Sequence, residues 1–180
     1  MSHEWHTQQG RNPLRLINHF IGFEHEVDEG FDTVKDVKVT NRIFPTEEDA
    51  RNFVCTRSYL CDDAYLAAYT TKKLSKGFQN AFANFLAKDK EYTDFKNNLT
   101  IAYGRKSSNV TCPECGSSIN LKYGRRFTEC PVCGSKKIIS DSNWKTLETK
   151  KRMMEKAAEN LSKEAEKNDV MFICGIEWHC

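Results

Sequence analysis

The 180-residue chain has no long apolar run. None of its hydrophobic stretches approaches the roughly 20 residues that a membrane-spanning helix needs. Its first residues also lack the basic and apolar regions of a secretory signal peptide. The sequence therefore predicts a protein with no membrane partner, and we expect it in the cytoplasm.

Familiar catalytic motifs are absent as well. The sequence contains neither a phosphate-binding loop nor a glycine-rich dinucleotide fingerprint. Within residues 19–26, His19 and His25 would share one face of a strand, but no matched third ligand accompanies them. Cys55 and Cys174 are expected to be small core residues, because no Cys/His pairing marks either as a nucleophile. We therefore expect a protein that is not an enzyme.

What the chain does have is cysteine, and four of its eight cysteines follow a pattern. Two Cys-Pro-x-Cys-Gly segments occupy residues 112–116 and 130–134. In each, glycine permits a tight turn and proline presets its entry. Four thiolates at this spacing can bind one tetrahedral Zn²⁺ with Zn–S bonds of about 2.3 Å. Two disulfides, or free thiols, are the alternatives.

The double Cys-Pro-x-Cys-Gly pattern resembles that of zinc ribbons, over residues 110–139. We expect one zinc ion per chain, bound by Cys112, Cys115, Cys130 and Cys133. Because cysteine fills all four positions, no open position remains for water, and the metal is expected to be structural. So small a ribbon buries little apolar surface, so the metal must supply much of its folding free energy, on the order of 10 kcal/mol.

The net charge of +2 conceals an uneven distribution. Residues 24–63 hold 5 Lys and Arg against 11 Asp and Glu, a balance of −6, whereas residues 105–137 hold 7 against 2, a balance of +5. Basic side chains interleaved with aromatic ones suit contact with a nucleic-acid backbone, without readout of base sequence. The candidate binding residues are Arg105, Lys106, Lys122, Arg125, Arg126, Lys136 and Lys137.

The two ends of the chain predict an α+β body, formed by residues 1–71 and 169–180, with a small mixed or antiparallel sheet. Strands are expected at residues 19–27, 34–44, 64–70 and 170–178, with the first two forming a hairpin. Thr46 and Asp49 form a capping box that begins a helix reaching about Tyr59. The first ten residues are expected to form a loosely held arm.

Between the two parts of the body, residues 72–100 and 141–168 predict two long helices. Apolar residues recur alternately three and four apart in both, as in a heptad seam. An antiparallel hairpin would pair Leu99 with Trp144 and Phe78 with Ala165, and would carry the ribbon (residues 101–140) at its tip. About 28 residues at 1.5 Å each reach roughly 42 Å.

Two alternatives to this projecting hairpin remain open. Both helices could instead lie flat on the sheet, and Phe82 widens the apolar face of the first helix in a way that favours some contact with the body. Two exposed seams could also pair between chains and form a homodimer.

The tripeptide Glu-Trp-His occurs near both ends, at residues 4–6 and 177–179. If the terminal segments met in the sheet, His3, His6, His179 and Cys180 could form a second metal site. Terminal residues are often unconstrained, which argues against this site.

Two functions follow from these patterns. The first is a non-enzymatic zinc protein whose basic ribbon contacts nucleic acid or a nucleic-acid-processing complex. The second is an adaptor or inhibitor that binds a larger protein machine through the hairpin and ribbon or through the acidic body. In its size and in its short Cys-Pro-x-Cys-Gly loops, the chain resembles small zinc-ribbon proteins of bacteriophages and mobile elements. That resemblance implies action on host nucleic-acid or defence machinery.

Overall fold

The computed structural model describes residues 3–21, 24–27, 30–34, 36–57, 63–104, 109–120, 129–135 and 141–179. In chain order the elements are β1 (His3–Gly10), α1 (Pro13–Ile21), β2 (Glu24–Val27), β3 (Gly30–Thr33), β4 (Asp36–Phe44), α2 (Glu47–Arg57), β5 (Asp63–Tyr69), α3 (Lys76–Gly104), β6 (Asn109–Thr111), β7 (Ser118–Asn120), α4 (Asp141–Asn168) and β8 (Met171–His179). This mixture of helices with a small open mixed sheet agrees with the expected α+β class.

The chain divides into two compact units, Met1–Leu86 with Glu155–Cys180, and Ala87–Met154. The finer division into body, hairpin and ribbon stays a prediction. Among the helices that the structure describes, none has the length and apolar character required to cross a membrane.

The sheet of the first unit has the strand order β1-β8-β5-β4. β8 pairs antiparallel with both β1 and β5, and β4 pairs parallel with β5. The predicted strands at 34–44, 64–70 and 170–178 are thus confirmed, and the last does return to the same sheet. The predicted hairpin is wrong, because β4 pairs with β5 while β2 pairs with β3 in a separate two-stranded sheet.

The expectation of a loose N-terminal arm is also wrong, because His3–Gly10 forms the edge strand β1. Its eight residues pair one for one with β8, from His3 opposite His179 to Gly10 opposite Phe172. The strand is polar and lacks apolar alternation, so its own sequence gives no signal. Backbone pairing with a partner at the other end of the chain creates it.

The strand predicted at residues 19–27 begins too early, because His19 lies in helix α1. Leu16, Ile17 and Phe20 are buried at helical spacing. Asn12 caps the helix, since its side-chain oxygen accepts a hydrogen bond from the backbone N–H of Arg15 at 3.0 Å. These residues hold α1 against the sheet and leave Glu24–Val27 as the strand.

Helix α2 begins as predicted and covers one face of the sheet. The Thr46 hydroxyl accepts a hydrogen bond from the backbone N–H of Asp49 at 3.1 Å, which confirms the cap. The helix buries its apolar side in a cluster of Phe44, Ala50, Val54, Cys55, Ala67 and Ile173. Its described part ends at Arg57, and Tyr59 lies outside the described residues.

The opposite face of the sheet contacts α3. Ile173 and Phe172 are neighbours on β8, so their side chains point to opposite faces. The Phe172 ring lies 6.3 Å from that of Phe82, which confirms the expected contact of α3 with the sheet. At the start of α3, the backbone N–H of Ser75 donates to the side-chain oxygen of Asn168, the last residue of α4, at 2.9 Å.

In the second unit, α3 and α4 contact each other through aromatic residues. Leu147 of α4 is buried, with Tyr92, Phe95 and Trp144 packed against it. The Lys150 ammonium lies 5.8 Å from the centre of the Phe95 ring. The side chain of Leu99, the predicted partner of Trp144, lies outside the described part of the chain.

Gly175 sets the distance between α2 and the sheet. A Cβ atom there would lie 2.9 Å from a methyl group of Thr7 and 2.9 Å from one of Val54, which is fully buried. We expect Gly175→Ala to lower the free energy of unfolding by about 1–3 kcal/mol, because packed neighbours must move. Urea unfolding followed by circular dichroism measures the change.

Gly10→Ala is the matched control, since its Cβ would meet only Leu16, at an ordinary 3.9 Å. We expect it to change stability by less than about 1 kcal/mol. Equal effects of the two substitutions would contradict close packing at Gly175.

Candidate metal centre

The first pair of predicted cysteines lies in a tight loop between β6 and β7. The backbone N–H of Gly116 donates to the carbonyl of Cys112 at 3.0 Å, and the N–H of Cys112 donates to the carbonyl of Ser117 at 2.9 Å. These bonds fold the loop back on its first cysteine, so that Cys112 and Cys115 lie on the same side.

The second loop repeats this geometry. The N–H of Gly134 donates to the carbonyl of Cys130, and the N–H of Cys130 to that of Ser135, both at 2.8 Å. Gly116 and Gly134 have φ values of +69° and +72°, where a side chain would be strained. The Cys-Pro-x-Cys-Gly sequence therefore builds the same loop twice.

Little apolar packing supports the two loops. β6 and β7 pair antiparallel, with Val110 opposite Ile119. The buried cluster here consists of Cys112, Ile119 and Cys130. Two of its three members are predicted metal ligands, so the described residues supply only a very small core.

The four sulfur atoms converge on one point. The Sγ atoms of Cys112 and Cys133 lie 3.7 Å apart, as do those of Cys115 and Cys130. All four lie within 4.8 Å of one another. In a tetrahedron of sulfurs about 2.3 Å from a metal, neighbouring sulfurs lie about 3.8 Å apart, and a disulfide bond is about 2.05 Å long. The four cysteines are thus positioned to bind one metal ion and are not bonded as disulfides.

The ligand set is half buried and half exposed. Cys112 and Cys130 are 1% and 2% exposed, whereas Cys115 and Cys133 face solvent. Hydrogen bonds from the side chain and backbone of Ser117 lower the pKa of Cys115 to about 6. The backbone N–H of Ser135 lowers the pKa of Cys133, but desolvation and hydrogen bonds with the other three thiols outweigh it and raise that pKa to about 12.

Metal binding at these cysteines would release their protons, because the thiolate is the form that binds a metal ion. The donor set is all sulfur, with spacings compatible with a tetrahedral site, and it fits zinc and other ions that prefer thiolates.

The basic residues predicted to bind a partner, namely Arg105, Lys106, Lys122, Arg125, Arg126, Lys136 and Lys137, lie outside the described residues. Around the cysteines, the structure does describe Glu114 and Glu129, both exposed, and Val132, which is 67% exposed between the two ligands of its loop. Sequence reasoning overlooked Val132, whose position in the turn was the available signal.

Compared with known proteins, the chain matches no protein-family model, no curated protein and no solved structure. The likeness to zinc ribbons therefore rests on the cysteine spacing and on the loop geometry.

The structure describes only part of the second metal site that the sequence suggests. The two Glu-Trp-His segments do meet, with His3 opposite His179 and Glu4 opposite Trp178. The side chains of His3, His179 and Cys180 lie outside the described part. Among described residues, the four cysteines are the one group of three or more candidate ligands that converge.

The sequence suggested His3, His179 and Cys180 as neighbours of His6, but the structure places His19 beside it. Its Nε2 atom lies 3.5 Å from Nε2 of His19, and the two rings stack with centroids 5.8 Å apart. The pair escaped sequence reasoning because His19 was assigned to a strand instead of to α1. Desolvation, and then the charge of His19, lower the pKa of His6 below its ordinary 6.5.

We expect Cys112→Ala to weaken metal binding so that the metal is lost on dialysis, because water would have to take the place of the fourth thiolate. Wild-type protein should contain one metal ion per chain by inductively coupled plasma mass spectrometry, which also separates zinc from iron. Cys55→Ala is the matched control, since Cys55 is buried in the sheet cluster of the first unit. Loss of metal in the control, or its retention in Cys112→Ala, would contradict the assignment.

The lowered pKa of His6 predicts acid sensitivity. The unfolded chain binds this proton more readily than the folded one, so stability is fully present above pH 6.5 and falls as the pH drops below it. We expect His6→Gln to reduce the loss of unfolding free energy between pH 7.5 and pH 5.5, measured by urea unfolding. Identical losses in the two proteins would show that His6 does not contribute.

Proposed function

We propose that this chain is a cytoplasmic, non-enzymatic zinc protein whose basic ribbon contacts nucleic acid. The observation that carries the proposal is the charge balance of +5 over residues 105–137, the segment that contains the four converging cysteines. Such a segment can neutralise phosphates and release condensed counterions.

The metal is proposed to be one structural Zn²⁺. Sulfur fills all four tetrahedral positions, so neither water nor substrate has an open position. The small described core of Cys112, Ile119 and Cys130 supports a structural role, because a metal would add to the few apolar contacts among the described residues. None of the described cysteines forms a disulfide, which supports the proposal of a reducing compartment such as the cytoplasm.

We further propose that α3 and α4 form an antiparallel hairpin that carries the ribbon. Two sets of contacts support it. Ser75, just before α3, bonds Asn168 at the end of α4. Further along α3, Glu91 lies 3.8 Å from the ammonium of Lys150, early in α4. The helices therefore meet in reversed chain order, as antiparallel partners do.

A protein partner is the second candidate, and Val132 favours it. A large apolar side chain that is 67% exposed, between two ligands held in a rigid loop, suits burial in a protein interface. Phosphate contacts gain nothing from such a residue. Val132→Asn should therefore weaken binding to a protein partner and leave nucleic-acid binding unchanged.

The test of nucleic-acid binding is the double charge reversal Arg125→Glu and Arg126→Glu. We measure affinity for fluorescein-labelled single- and double-stranded DNA and RNA by anisotropy across a salt series, with zinc-loaded protein. The wild type should lose affinity steeply with salt, and the double variant should bind at least about tenfold more weakly with a shallower salt slope.

Lys73→Glu with Lys76→Glu is the control, because it makes the same change of net charge at two exposed residues of the first unit. It should retain most of the affinity. Equal weakening by both pairs would mean that net charge, and not the ribbon, governs binding, and no binding by the wild type would refute the proposal.

A further inference from the structure

A cleft of about 310 Å³ lies in the first unit, where the end of β1 meets the start of α1. Gln8 lines it from the strand, and Arg11 and Asn12 line it from the connecting turn. Arg15, Leu16 and His19 line it from the helix. This volume is at the lower end of the range for small-molecule pockets.

The residues that line the cleft include two arginines and no carboxylate residue. Arg11 is already paired, with its guanidinium 2.9 Å from a carboxylate oxygen of Asp169. No ion pair of Arg15 is found among the described residues, and its side chain is exposed. Arg15 is therefore the uncompensated positive charge of a lining that also holds His19 and the amide residues Gln8, Gln9 and Asn12, and this set favours an anion.

Most of the backbone N–H groups at the start of α1 are not available to a ligand. Pro13 has no N–H, and the N–H groups of Arg15 and Leu16 bond the side-chain and backbone oxygens of Asn12 at 3.0 and 3.4 Å. Side chains must therefore supply most of the binding groups. Arg15 is the strongest of them, since its planar fork offers paired N–H groups to an oxyanion.

His19 closes the cleft at the helix side. Its ring stacks on His6 and meets Phe20 edge-on, with centroids 5.3 Å apart. These contacts orient the exposed imidazole at the edge of the cleft. Leu16 adds one buried apolar surface, which suits a short carbon skeleton attached to the anion.

We propose that this cleft binds a phosphomonoester, with Arg15 as the principal ligand-binding residue. A phosphate group suits this lining better than a carboxylate does, because its three terminal oxygens and nearly two negative charges can use the Arg15 fork together with the neighbouring amide and histidine donors. The cleft volume limits the ligand to a small phosphorylated molecule or to the end of a longer one. This site is separate from the four-cysteine centre and does not depend on the function proposed for the ribbon.

The test uses the full zinc-loaded chain labelled with ¹⁵N. Inorganic phosphate and glycerol 3-phosphate are titrated at constant ionic strength, with acetate and chloride as comparison anions, and binding is followed through amide chemical shifts. We expect saturable shifts for both phosphates, confined to residues 8–19, and much weaker ones for acetate. Shifts that do not saturate, or that equal those of acetate, would overturn the proposal.

Three variants locate the binding group. Arg15→Gln should weaken glycerol 3-phosphate binding about tenfold or more, and Arg15→Lys should weaken it less, because the charge stays but the fork is lost. Arg42→Gln removes the same charge from an exposed arginine on β4, the opposite edge of the sheet, and should leave affinity unchanged. Equal weakening by Arg15→Gln and Arg42→Gln would show general charge attraction and refute the site.

A final comparison identifies the source of the phosphate. A tetranucleotide with a 5′ phosphate is titrated beside the same tetranucleotide without it. A preference for the phosphorylated form that Arg15→Gln abolishes would support the site and assign it to a nucleic-acid end. Binding of glycerol 3-phosphate without that preference would support the site and assign it to a free small molecule.

Discussion

The first unit depends on the pairing of β8 with the strands on both sides of it. β8 lies between β1 and β5, and its backbone groups bond to both. Because β1 begins the described chain and β8 ends it, this pairing also joins the two termini. The close approach of α2 at Gly175 and the contact of α3 at Phe172 both use β8 as their platform. Loss of this strand would leave β1 without a partner and would remove Ile173 from the cluster that α2 packs on.

The described part of the four-cysteine centre has much less apolar support than the sheet. Its buried cluster has three residues, and two of them are candidate ligands. Among the described residues, hydrophobic burial on this scale is small beside the conformational entropy of ordering two loops. Coordination of a metal would offset that entropy, since thiolate binding supplies on the order of 10 kcal/mol. Chelation is therefore expected to affect residues around Cys112 and Cys130 while leaving the sheet of β8 intact.

How well the sequence predicts each part depends on how local its cause is. The two cysteine loops have local causes, because glycine and hydrogen bonds to the first cysteine determine each loop within six residues. The Thr46 cap has an equally local cause. The cause of β1 is not local, since its polar sequence forms a strand only by pairing with β8 at the far end of the chain. Helix α1 lies between these cases. Asn12, Leu16 and Phe20 carried a helical signal, but the β-branched and aromatic residues nearby led to the strand interpretation at 19–27.

The proposed function takes the four-cysteine centre as a closed site. A metal bound by four cysteines would have no position to offer a substrate, so the proposal assigns function to residues near it in the sequence. Two features of that segment suit different partners. Its basic residues favour a polyanion, whereas the exposed Val132 favours close contact with an apolar surface. Electrostatic attraction falls with salt and apolar burial does not, so the salt dependence of binding distinguishes the two proposed modes.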